Sequence, residues 1–107
     1  MLGEALKGHL DLLLLAILSE GPAHGYAVIE SLRQRSGNLF DLPEGTIYPA
    51  LHRLELRGLL AAQWDVSANN RRAKYYRLTP KGRKRLREAT ESWRRASSAI
   101  NRVLEAI

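Results

Sequence analysis

Apolar residues along the chain change their spacing from block to block, and each spacing predicts an element. Leu6, Leu10, Leu13, Leu14, Ile17 and Leu18 recur at helical period, which predicts a helix from about Glu4 to Ser19. Gly21-Pro22 ends it, because proline cannot continue the ladder. Leu12 and Leu15 add apolar surface on the other side. A helix apolar nearly all round needs cover on two faces, which points to a second copy of so short a chain. A second helix is predicted from about His24 to Gln34, with Tyr26, Ile29 and Leu32 as its buried stripe and Gly37-Asn38 as its stop. Leu39 to Leu42 is a short extended connection. The third helix follows Pro43, carries Glu44 in its first turn, and stops at Gly58. Its Ile47, Ala50, Leu51 and Leu54 fall at i, i+3, i+4 and i+7, which is one face.

The period then shortens to that of strands. Ala61 to Val66 and Ala73 to Leu78 are rich in Trp, Val and Tyr, and the intervening Ser67 to Arg72 contains paired asparagines suited to a turn with positive φ. Thr79-Pro80 has the pattern of an N-cap followed by a first-turn proline, opening a last helix that reaches the C-terminus. Helix, helix, helix, hairpin, helix is the order of a winged helix-turn-helix with a long C-terminal arm. The expected fold is therefore mainly α with a small β-hairpin. Residues 1–78 would form the DNA-binding unit and residues 79–107 a dimerisation helix.

Composition changes this picture in two ways. The 107 residues contain no cysteine, which excludes disulfides and thiolate metal sites and makes the cytoplasm the expected compartment. The apolar run Leu12 to Leu18 is far shorter than the roughly 20 residues that span a bilayer. The formal charge is +6, but it is unevenly placed. Residues 1–65 carry five basic and eight acidic side chains, a net of −3, whereas residues 66–107 carry twelve and three, a net of +9. From Arg71 to Arg87 there are nine basic residues and no acidic one. Such an excess points to a polyanion: duplex DNA if it borders a reading helix, a membrane surface if it borders exposed bulky apolar residues.

A helix that lies in the major groove needs an apolar back and a face of short donors and acceptors. The third helix has both, with Thr46, Tyr48, Pro49, His52 and Arg53 on the side opposite its apolar face. Pro49 lacks the N–H that would bond back to Gly45, so a distorted helix start is expected. Arg71, Arg72 and Lys74 at the hairpin tip are placed for phosphates or the adjacent minor groove. Lys81, Arg83 and Lys84 either extend that footprint or are ordinary helix surface. His24 and Tyr26, at the start of the second helix, are candidates for backbone contacts, although Tyr26 also suits the core.

In the last helix Leu86, Ala89, Trp93, Ala96, Ile100, Val103 and Ile107 are spaced 3, 4, 3, 4, 3, 4. This is an unbroken heptad stripe on an otherwise polar helix, and it needs a partner. The expectation is a homodimer in which the stripe packs on Leu10 and Leu14 of the other copy's first helix. Enzyme chemistry finds no support. His9, His24 and His52 lack metal-ligand spacing, and there is neither a glycine-rich phosphate loop nor a nucleophile motif, so no catalytic residue, metal or cofactor is assigned. The other non-enzyme class, a winged helix that docks proteins without specific DNA binding, would call for an apolar third-helix face and a neutral wing.

Three stretches together carry a family resemblance. His24-Gly25-Tyr26, then Glu44 to Glu55 (EGTIYPALHRLE) with Gly58-Leu59, and Arg71 to Gly82 (RRAKYYRLTPKG) closely resemble the PadR transcription regulators over essentially the whole chain. The short tail resembles the compact subgroup with one C-terminal helix. The resemblance implies a homodimeric repressor on a pseudo-palindromic operator. It also implies that Trp93 either fills the dimer seam or stacks against a small, flat aromatic effector.

Overall fold

Turn chemistry sets most of the element boundaries. The computed structural model describes residues 8–107. In order it forms α1 (Leu10–Leu18), β1 (Ala23–His24), α2 (Gly25–Arg35), α3 (Glu44–Leu56), β2 (Leu60–Val66), β3 (Arg72–Leu78) and α4 (Pro80–Leu104). The first helix, expected from Glu4, thus begins at Leu10 among the described residues, after Gly8 at φ +83°. The earlier part of that expectation, including Leu6, lies outside them.

The second and third helices end in the same motif. Gly37 and Gly58 adopt φ of +62° and +76°. The N–H of Asn38 returns to the Arg33 carbonyl at 2.8 Å, and that of Leu59 to the Leu54 carbonyl at 3.0 Å. Each bond satisfies a carbonyl that the helix end leaves free, and a glycine makes the left-handed step without strain. The third helix runs unbroken through Pro49.

The sequence predicts a two-stranded hairpin, but the sheet has three strands, in the order β1-β3-β2. Ala23 pairs with Tyr76 and His24 with Tyr75, antiparallel. Leu60↔Leu78 to Val66↔Arg72 form the long ladder. At the hairpin turn Asn70 takes φ +61° and the Ser67 N–H bonds the Arg71 carbonyl at 2.7 Å.

The core lies between α1, α2, α3 and the sheet, with Leu14, Val28, Ile47, Leu51 and Leu54 at or near zero exposure. This corrects two expectations. Tyr26 is 59% exposed, and the buried stripe of α2 is Gly25, Val28, Ile29 and Leu32. Leu14 is completely buried in its own chain and so is not free for a partner, while Leu10 is half-buried against the same core. The reason is that the first half of α4 covers the second face of α1 within the chain. Leu86 packs on the core, and Trp93 meets His9 edge-on at 4.8 Å. Beyond Trp93 the stripe emerges, and Ile100, Val103 and Ile107 are exposed.

The seat of α4 is tight. Thr79 is its N-cap, accepting at Oγ1 from the Gly82 N–H at 3.0 Å and donating to the Gly58 carbonyl at 2.7 Å. Gly82 lies directly on the Leu59 carbonyl, where a Cβ would stand 2.1 Å from the oxygen.

Candidate nucleic-acid interface

The burial of Ile47, Ala50, Leu51 and Leu54 fixes which side of α3 faces out. At about 100° per residue, Pro49, His52 and Leu56 share an outer ridge, and all three are exposed. Leu56 was not singled out from the sequence, yet it is an apolar side chain in line with the others, suited to a thymine methyl. The remaining candidates lie on the two flanks of this ridge.

On one flank, Tyr48 leans over the first residue of α2. A Cβ on Gly25 would fall 2.2 Å from the Tyr48 ring, so glycine is what lets the two helices approach. Burial raises the Tyr48 pKa, and the Glu44 carboxylate adds to the rise, so the phenol remains a neutral donor around pH 7. His24 caps α2, accepting at Nδ1 from the Ala27 N–H at 3.2 Å, and lies edge-on to Tyr75 at 5.3 Å. Its first role is structural, with the far edge of the ring lining a cleft.

Lys74 is not at the hairpin tip. It sits in mid-strand opposite Trp64 and donates to Glu55 Oε1 of α3 at 2.9 Å. The Glu55 hydrogen bond raises its pKa, and the pair fastens the sheet to α3. The tip itself carries Arg71 and Arg72. Neither forms an ion pair among the described residues. The Arg72 guanidinium instead lies 5.0 Å from the centre of the Trp64 ring, which is 56% exposed. Trp64 was read from the sequence only as a strand former. Its pairing with Arg72 is diagonal across the ladder, so only the register reveals it.

On the other flank, Arg53 and Arg57 turn toward α1, where both meet Asp11. Thr46 stays exposed in the first turn of α3. Of the weaker candidates, Lys81 donates to the Arg57 carbonyl at 3.0 Å and so closes the end of α3, while Arg83 and Lys84 stay exposed on α4.

A cleft of about 630 Å3 runs between the wing, α2 and α3. His24, Tyr26, Tyr48, Trp64, Arg71, Arg72 and Lys74 all line it. It gathers six candidates read from the sequence, plus Trp64. Thr46, Pro49, His52 and Arg53 lie outside it on α3. A cleft with a polar helix on one wall and an arginine-tipped hairpin on the other suits one sugar-phosphate strand passing between two grooves. Trp93 lines a separate, smaller cleft of about 250 Å3 beside His9, Leu12 and Ala89.

Comparison with known proteins identifies the family and the fold. Residues 14–88 match the Transcriptional regulator PadR-like family. A PadR-like transcriptional regulator from Bacillus cereus is similar at TM-score 0.84 and 32% identity, covering 94% of this chain and 96% of that one. A PadR family regulator from Eggerthella lenta gives TM-score 0.82 at 36% identity, covering 97% and 88%. A transcriptional regulator of Mycobacterium tuberculosis is 36% identical over 70 residues, 65% of this chain and 62% of that protein.

Proposed function

Because the chain belongs to the PadR-like family of transcriptional regulators, and is not an enzyme, we propose that it represses transcription as a homodimer on a pseudo-palindromic operator. The outer ridge of α3 enters the major groove, where His52 and Leu56 meet base edges and Thr46 a phosphate at the helix N-terminus. The wing reaches the neighbouring minor groove, with Arg71 and Arg72 on phosphates. The observation that carries this reading is the cleft, which sets Arg71 and Arg72 of the wing, without an ion-pair partner among the described residues, beside Tyr48 on the flank of α3.

Dimerisation belongs to the far half of α4. Ile100, Val103 and Ile107 continue the heptad stripe beyond the reach of their own core, and a second copy of the same stripe would cover them. With two-fold symmetry, the two α3 helices would sit about 34 Å apart, one turn of DNA. The test is titration of a selected operator duplex at several salt concentrations, with sedimentation of the free protein. A dimeric mass at micromolar concentration is expected, with log K falling against log salt at a slope of about −5 if about six phosphates are neutralised. A monomer, or binding indifferent to salt, would overturn the reading.

Trp93 would serve the effector. It is half-exposed beside His9, and dimerisation through α4 would bring two such rings near the symmetry axis. Planar cationic aromatic compounds are expected to quench the tryptophan fluorescence. Trp93→Leu should abolish the quenching and Trp64→Leu should spare it. Quenching that survives Trp93→Leu would remove the effector from the proposal.

A further inference from the structure

Asp11 stands in the first turn of α1, a favourable place for a carboxylate, and it serves two arginines of α3 at once. Its Oδ1 accepts from Arg53 Nη2 at 3.2 Å and its Oδ2 from Arg57 Nη1 at 3.4 Å. All three side chains are partly open to solvent, with the two guanidiniums just over half exposed. They line the flank of α3 that borders its outer ridge, on the side away from the wing. Arg53 and Arg57 can therefore meet a phosphate, but only in competition with a carboxylate already seated between them. A strand passing that flank meets a net charge of +1 where two free arginines would present +2.

We propose that Asp11 is an internal counter-ion that holds Arg53 and Arg57 back from DNA of any sequence and so sets the strength of the sequence-independent part of binding. Phosphate contacts supply the sequence-independent part of binding, and base edges supply discrimination. A carboxylate that blunts two phosphate contacts lowers affinity for all duplexes and leaves the ridge of His52 and Leu56 untouched. Because that loss is the same for operator and non-operator duplexes, their ratio is unchanged, and the carboxylate sets how tightly and how salt-dependently this flank of α3 holds any duplex. The wing does the opposite, because no acid among the described residues neutralises Arg71 and Arg72. The interface thus has one cationic flank fully available and one restrained.

This inference rests on duplex binding by the α3 face, and the experiment separates the two. Affinity for a mixed-sequence duplex and for a selected operator is measured against salt for the wild type and for Asp11→Asn, Asp11→Glu and Glu91→Gln. Glu91→Gln is the matched control, since it changes the charge equally and releases Arg95 on α4 instead. Asp11→Asn is expected to tighten mixed-sequence binding by roughly tenfold at 0.1 M salt and to steepen the slope by about one to two per protomer. Operator binding should tighten by the same factor, so that operator preference stays unchanged. Asp11→Glu should stay near the wild type, and adding Arg53→Ala and Arg57→Ala to Asp11→Asn should cancel the gain. Thermal unfolding of each variant confirms that it is folded. If Asp11→Asn behaves like Glu91→Gln, or weakens binding, the counter-ion role is overturned while DNA binding stands. A wild type that binds no duplex overturns both.

Discussion

Replacing Arg71 and Arg72 together by alanine is expected to weaken binding to every duplex, operator and mixed sequence alike. The loss should reach roughly a hundredfold at 0.1 M salt, and the slope should flatten by about two for each protomer engaged. Both guanidiniums lack a carboxylate partner among the described residues, so they keep their full charge for phosphate. Arg72 is also held against Trp64, which reduces the rotamer freedom it would lose on contact. Uniformity is the diagnostic feature. A residue that reads bases changes the ranking of sequences, whereas one that binds phosphate lowers all of them together. A double variant that keeps the wild-type slope would remove the wing from the interface and leave α3 alone to carry binding.

The second large effect concerns stability. Gly82→Ala should destabilise the chain by about 3 kcal/mol, the upper end of what over-packing costs. A Cβ there would stand 2.1 Å from the Leu59 oxygen and 3.2 Å from Leu78 Cδ2. The first obstacle is a carbonyl in the turn that ends α3, and no side-chain rotation can relieve it. The first turn of α4 would have to lift, breaking the Thr79 cap and exposing Leu78 and Leu86. At constant protein concentration, the midpoint of thermal unfolding followed by circular dichroism should fall by roughly 12 °C or more. Gly45→Ala is the control, because nothing lies within 4 Å of a Cβ at that helical position. It should be neutral or slightly stabilising in the same melt, since alanine is the better helix former. An unchanged midpoint for Gly82→Ala would mean that α4 is not seated on Leu59.

The sequence made legible whatever is decided within a few residues. The stops at Gly37-Asn38 and Gly58, the Thr79-Pro80 start and the buried face of α3 are local signals, and the structure bears each of them out. Contacts between residues distant in sequence were not legible. β1 is two residues long, too short to show any alternation, and it exists because β3 offers it an edge. Lys74 looked like a third tip cation because its partner Glu55 lies 19 positions away on another element. Arg53 looked free for the same reason, its carboxylate being 42 positions earlier. The first helix looked as if it needed a second chain because nothing local shows that α4 folds back over it. At the candidate interface, residue types marked the candidates, and only the fold showed which charges were already engaged.

The junction at Thr79 and Gly82 also has a mechanical meaning. With no side chain between the first turn of α4 and the backbone of Leu59, the helix and the head meet without a cushion. From Gly82 to Leu104 the helix is a lever of about 33 Å, at 1.5 Å per residue. A tilt of about 5° at the seat would swing its far end by about 3 Å, close to the rise of one base pair. In any pair of chains joined through those far ends, the stiffness of this one close approach governs how strictly the two heads keep their separation. In the proposed dimer the glycine would act as the fixed end of a ruler, and its hardness would set the tolerance for half-sites one base pair too near or too far.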